Sequence, residues 1–151
     1  MDTKKLLKSL NENKVRFVVI GATAGIAHGF SRLTKDIDVF VEPTRGNMER
    51  TFKALRECGY DLGDTNIEEA LEKKLLLRGY ILQTDIHPSV TGVDFDTVWK
   101  NKVQYAFQGE NAYFASLDDL IKMKKAAGRP QDLEDLRHLE EIKKQLETYG
   151  P

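Results

Sequence analysis

Leu33-Thr34-Lys35-Asp36-Ile37-Asp38-Val39-Phe40-Val41 reads as a β-strand that changes character halfway along. Its second half is apolar and suits an inner position in a sheet, whereas its first half carries two carboxylates one residue apart. Side chains on a strand alternate between faces, so Asp36 and Asp38 project together while Ile37, Val39 and Val41 project into a core. Like charges side by side repel, and an apolar setting adds a desolvation cost. A hard divalent cation such as Mg²⁺, which takes carboxylate oxygens, relieves both. The stretch is therefore a candidate metal site for phosphate chemistry.

The flanking sequence builds a sheet around this strand. Upstream, residues 15–20 are apolar except for Arg16 and read as a central strand ended by Gly21. A short helix over about 23–29 follows, and residues 4–12 form an amphipathic helix with Leu6, Leu7 and Leu10 on one side. Downstream, Pro43 stops the acidic strand, and residues 48–58 have helical spacing at Met48, Phe52 and Leu55. Residues 67–73 add a helical turn. Residues 74–78 and 80–87 read as a hairpin turning at Gly79. In its second strand Leu82, Thr84 and Ile86 share one face, and Gln83, Asp85 and His87 the other.

Residues 94–101 suit a helix carrying Trp99, and residues 103–115 a second hairpin around Gly109-Glu110-Asn111. The tail reads as two helices. The first spans 117–127, capped by Ser116 with Asp119 three residues later. The second starts at Pro130, with an apolar stripe of Leu133, Leu136, Leu139, Ile142 and Leu146. This order predicts an α+β fold, a mixed sheet covered by helices. The expected organisation is one domain over 1–151, with a core to about residue 115 and a helical pair over about 116–149.

Bulk properties narrow the classes. A chain of 151 residues, 40% hydrophobic, fills one core. A net charge of −1 lacks the basic excess of a protein that wraps nucleic acid. The one cysteine, Cys58, excludes an internal disulfide and a structural zinc site built on several thiolates, and fits a reducing compartment. No run is long enough to span a membrane and no secretory pattern is visible, so the expected location is cytoplasmic and no membrane partner is expected.

Four pieces carry candidate chemistry. The turn Ile20-Gly21-Ala22-Thr23 runs from strand into helix, where a glycine admits close backbone approach and amides favour phosphate. Asp36 and Asp38 form the second piece. Asp85, in Gln83-Thr84-Asp85-Ile86-His87-Pro88, again interrupts an apolar strand and can share a metal if its strand lies beside 36–41, or act as general base. Lys124 sits on the inward stripe of its helix with Leu117, Leu120 and Ile121, and either snorkels or reaches a triphosphate. Arg129 either assists it or pairs with Asp132. His28 and His87 are more often packed residues than ligands, although His87 shares the face of Asp85.

Gly21-Ala22, Asp36-Ile37-Asp38 and Asp85 together resemble the nucleotidyltransferase superfamily pattern: a glycine followed by glycine or serine, an Asp-x-Asp strand, and a later third acid. Residues 18–21, 34–39 and the tail with Leu117-Asp118-Asp119-Leu120-Ile121, Lys124, Ala127-Gly128-Arg129-Pro130, Asp132-Leu133 and Asp135-Leu136 look like the small bacterial members of the DNA polymerase β-like fold. Asp85-Ile86-His87-Pro88 is similar to a run in lincosamide nucleotidyltransferases. The resemblance implies transfer of a nucleoside monophosphate from a nucleoside triphosphate to an acceptor hydroxyl on a small molecule, protein or RNA, releasing pyrophosphate. It implies Mg²⁺ on Asp36, Asp38 and Asp85, with Gly21, Ala22, Thr23, Lys35, Lys124 and Arg129 toward the nucleotide.

Position 22 departs from the pattern: alanine keeps the amide but offers no hydroxyl. The alternative readings are an antitoxin-like partner of a toxin–antitoxin module, a non-catalytic nucleotide sensor, and an antibiotic-modifying enzyme. A chain of this length leaves little room for a dedicated acceptor-binding domain, so either the helical pair 117–148 or a second subunit is expected to help. The expected protein partners are a second copy in a homodimer or, in the toxin–antitoxin reading, a small helical protein.

Overall fold

The computed structural model describes residues 2–28 and 35–149. Gly29, Leu33 and Thr34, which the sequence reading placed in a helix and at the start of the acidic strand, lie outside them. The described elements run α1 (Thr3–Glu12), β1 (Phe17–Ile20), α2 (Gly21–Ala27), β2 (Asp36–Val41), α3 (Arg45–Glu57), α4 (Ile67–Glu72), β3 (Leu75–Leu77) and β4 (Gln83–His87). They continue with α5 (Phe95–Asn101), β5 (Val103–Phe107), β6 (Glu110–Phe114), α6 (Leu117–Ala127) and α7 (Pro130–Tyr149). The strands form one six-stranded mixed sheet in the order β3-β4-β2-β1-β6-β5. The fold is α+β, as the order of elements predicted.

Local chemistry sets most of the element ends. Asp2, Asn66, Asp94 and Ser116 each accept a hydrogen bond from an amide in the first turn of α1, α4, α5 and α6, at 2.8 to 3.1 Å. Gly128 ends α6 in the left-handed conformation at φ 66°, and Pro130 opens α7 two residues later. The second hairpin turns one residue earlier than predicted. Gln108 and Gly109 take φ of 52° and 86°, so the tight turn sits there and Glu110 already belongs to β6. The predicted turn at Gly79 is wider, with β3 ending at Leu77 and β4 starting at Gln83.

The core lies where the apolar faces of the strands meet the helices. Val18, Val19, Ile37, Val39, Phe40 and Phe114 are essentially inaccessible to solvent, as are Leu6, Leu7 and Leu10 of α1 and Met48 and Leu55 of α3. Asn47 ties this core to the sheet. Its amide nitrogen donates to the carbonyls of Arg16 and Glu42, both at 3.0 Å, and its oxygen accepts from the Arg16 amide at 2.8 Å. One fully buried side chain thus satisfies three backbone groups where β1 and β2 part.

The stripe predicted for α7 is only partly correct. Leu133 and Leu146 are 49% and 44% exposed, whereas Asp132 and Asp135 are buried beside Leu139. The helix is rotated so that two acids face α6, because ion pairs to Lys124 and Arg129 hold them there.

Candidate active site

Register brings the acids together. Strand β2 pairs antiparallel with β1, placing Ile20 opposite Asp38, and parallel with β4, placing Asp38 opposite Asp85 and Phe40 opposite His87. One end of β1, the start of β2 and the middle of β4 therefore meet at one end of the sheet. Alternation then works in favour of the site. Asp36, Asp38, Asp85 and His87 stand on the more accessible face, while Ile37, Val39, Thr84 and Ile86 are buried on the other.

Asp38, Asp85 and His87 each offer one ligand atom, and these atoms lie within 4.8 Å of one another. The His87 Nε2 lies 2.8 Å from Asp38 Oδ1. Asp36 sits exposed at the start of β2, its carbonyl accepting a hydrogen bond from the Thr23 hydroxyl at 3.2 Å. Two carboxylates with facing oxygens within 4.8 Å repel by about 3 kcal/mol or more at an effective dielectric constant of 20, a cost that a nearby cation offsets. Arg78 supplies one: its guanidinium donates to Asp85 Oδ1 at 2.5 Å and to Oδ2 at 3.2 Å.

The donor set fits a divalent metal. Two carboxylates suit a hard cation, and donors up to 4.8 Å apart need close only slightly to span an octahedral shell about 4.2 Å across. His87 then serves best as the group that orients Asp38, since an imidazole hydrogen-bonded to a ligating carboxylate fixes its rotamer.

Gly21 explains why the strand end can approach. It takes φ 73°, and a Cβ placed on it would lie 2.6 Å from Asp38 Oδ2. The missing side chain is the space that Asp38 occupies. Ala22 is the second residue of α2, and Thr23 is buried with its hydroxyl committed to the Asp36 carbonyl. Thr23 therefore ties α2 to the acidic strand. Lys35 is exposed just before β2.

A cavity of about 450 Å³ opens beside Asp38. Asp38, Gly21 and His87 form one wall, Leu120, Met123 and Lys124 of α6 another. Glu72 and Lys74 stand at a third side, with Ser89, Val90 and Thr91 from the loop after β4. Gly92 lets that loop press on α6, since a Cβ there would lie 2.6 Å from the Ala126 Cβ.

Lys124 and Arg129 both line the cavity, and neither is isolated. The Lys124 ammonium lies 3.3 Å from Asp132 and 3.2 Å from Asp135. Arg129 donates to both oxygens of Asp132, at 2.5 and 3.2 Å. The Arg129 hydrogen bonds, followed by that from Lys124, hold the Asp132 carboxyl down at about 2. These buried acids fix the two cations at the cavity edge. The sequence offered Asp132 as a partner for Arg129, but not the pairing of Lys124 with Asp132 and Asp135. The available signal was two acids three residues apart on the buried side of a helix, which have no place in a core unless they are paired.

The depressed Asp132 carboxyl has a measurable consequence. Its stabilising effect, about 2 kcal/mol, is complete above pH ~4 and disappears as the pH falls toward 2. Thermal melts of wild-type protein are expected to lose stability steeply across that window. Asp132→Asn should be less stable at neutral pH and flatter below pH ~4. Parallel curves for the two proteins would show that Asp132 is not the group responsible.

Comparison with known proteins adds the family. No curated protein matches the sequence. The fold is similar to that of the lincosamide antibiotic adenylyltransferase LnuA, solved with lincomycin bound, at a TM-score of 0.64 and 14% identity over 94% of this chain and 98% of that one. It is also similar to a Thermotoga maritima protein provisionally described as a nucleotidyltransferase. That match has a TM-score of 0.61 and 19% identity over 89% of this chain and 87% of the other. At these identities the likeness concerns the fold. Residues 1–149 match the profile of a family described as nucleotidyl transferase of unknown function (DUF2204), and the chain belongs to that nucleotidyltransferase family.

Proposed function

We propose that the protein transfers a nucleoside monophosphate from a nucleoside triphosphate to an acceptor hydroxyl, with Mg²⁺ at Asp36, Asp38 and Asp85, releasing pyrophosphate. The observation that carries this reading is the register pair Asp38–Asp85, two carboxylates on one face with ligand atoms within 4.8 Å, Asp38 occupying the space that Gly21 leaves open. When bound, the metal supplies Lewis acidity at the phosphates and neutralises charge on the attacking and leaving oxygens.

The residues of the chain divide the remaining work. Gly21 and the amides that follow it face the triphosphate, with Lys124 and Arg129 along the cavity edge to meet its outer phosphates. His87 keeps Asp38 in its rotamer. The acceptor oxygen attacks the α-phosphorus, its new P–O bond forms as the α–β bridge breaks, and pyrophosphate carries away the electron pair. The acceptor proton passes to a carboxylate at the site, for which Asp85 is the candidate.

The test uses triphosphates of all four bases labelled at the α-phosphate, with Mg²⁺ and three acceptor arms: a lincosamide, RNA with a free 3′ hydroxyl, and a cell protein extract. Label is expected in one acceptor together with stoichiometric pyrophosphate, and neither product in the presence of a chelator. No label in any arm, with pyrophosphate at background, would overturn the reading.

A further inference from the structure

The Arg78–Asp85 pair has a place in this chemistry that the acids alone do not explain. Arg78 follows β3 directly. Leu76 pairs with Asp85, so Arg78, two residues on, stands diagonal to Asp85 on the same face of the sheet. Its guanidinium engages both oxygens of Asp85, and its charge is held further by Asp36 and Asp38. The arginine side chain is half exposed while that of Asp85 is 16% exposed. The next residue, Gly79, takes φ 82° with open space around it, and Ile81 in the same turn is 87% exposed. Arg78 is thus a cation on an accessible turn, resting on the carboxylate that the metal reading requires.

Two cations cannot share Asp85 without mutual repulsion. A dication arriving alone must displace the guanidinium and leave it without a counter-ion beside the site. A dication arriving on a triphosphate brings the replacement with it, because phosphate oxygens accept the same two-pronged hydrogen bonds as a carboxylate. From this juxtaposition we infer that Arg78 is a specificity-determining residue, releasing Asp85 to the metal when a phosphate takes its guanidinium. The site then loads the metal–triphosphate complex in preference to the bare metal. This rests on the metal reading proposed above, and goes beyond it by adding a residue outside the acidic set.

The test reads metal binding directly. Mn²⁺ is titrated into the full chain and followed by electron paramagnetic resonance, with and without α,β-methylene ATP, for wild type, Arg78→Gln, Arg78→Lys and Asp85→Asn. In Arg78→Gln, bare Mn²⁺ is expected to bind about tenfold tighter, and the gain in Mn²⁺ affinity on adding nucleotide to shrink by about tenfold. Arg78→Lys keeps the positive charge and should retain the wild-type order of affinities. Asp85→Asn should weaken Mn²⁺ in both conditions. Melting curves for each variant separate these shifts from misfolding, and Arg78→Met, which also removes the charge, carries the test if the glutamine variant is unstable.

If wild type binds Mn²⁺ and the nucleotide-dependent gain is the same in Arg78→Gln, the role of Arg78 is overturned while the metal centre stands. If wild type binds no Mn²⁺ even with nucleotide, the metal reading itself fails and this inference with it.

Discussion

Asp38→Asn is expected to lower the single-turnover rate of nucleotidyl transfer about 10³-fold, the upper range for losing one electrostatic element of a transition state. The substitution is isosteric, so packing is preserved and only the charge changes. Asp38 joins three parts of the site: it faces Asp85 across the strand pair, meets His87 at 2.8 Å, and fills the space left by Gly21. The same substitution removes one of two carboxylates that repel each other in the metal-free protein. The melting temperature without metal should therefore stay level or rise slightly, while activity collapses. Opposite signs for activity and stability are what a site placed against folding preference produces. A variant that loses stability and activity together would instead mark Asp38 as a structural residue. Measuring α-phosphate label transfer alongside thermal melts decides between them.

Gly21→Ala is expected to cost about 2 to 3 kcal/mol of stability, from a left-handed backbone and a forced contact combined. In a chain of this size that lowers the melting temperature by about 5 to 10 °C. The new methyl would lie 2.6 Å from Asp38 Oδ2, so the carboxylate must shift, and a displacement of this kind should reduce activity about 10²-fold. Gly63→Ala is the matched control. Gly63 also has positive φ, at 55°, but nothing lies within 4 Å of its Cβ position. It should show the backbone penalty with activity intact. Equal activity losses in both variants would show that backbone strain, and not the contact with Asp38, governs the effect.

The elements of this fold were legible because each carries its own local signal. Ser116 caps its helix at the predicted place, Pro130 opens the last helix, and alternation in Gln83–His87 correctly divides buried from accessible faces. Asp36, Asp38 and Asp85 stood out as candidates because carboxylates in otherwise apolar strands are costly without a partner. What the sequence did not reveal were partners made by distant pairing. That His87 turns to Asp38, and Arg78 to Asp85, depends on β2 and β4 lying side by side in one register. The rotation of α7 escaped for a related reason. A hydrophobic stripe through Leu133 and Leu146 fits helical spacing as well as the true inward face, and only the cations on the neighbouring segment select the face that carries Asp132 and Asp135.

The pairing of β2 with β4 also sets when the site can exist. It is parallel, so no hairpin can form it, and the intervening chain must first pass through α3, α4 and β3. Asp38 and His87 touch although they are 49 residues apart. Contacts over such separations pay loop-closure entropy before they return any energy, and they form late as a chain folds. A polypeptide still emerging from synthesis, with β1, β2 and their helices already complete, would carry both acids of the Asp-x-Asp strand and yet no centre. With metal bound as proposed, acquisition of metal affinity during refolding would serve as a clock for the closing of the sheet, and should lag behind the helical signal from α1 and α3.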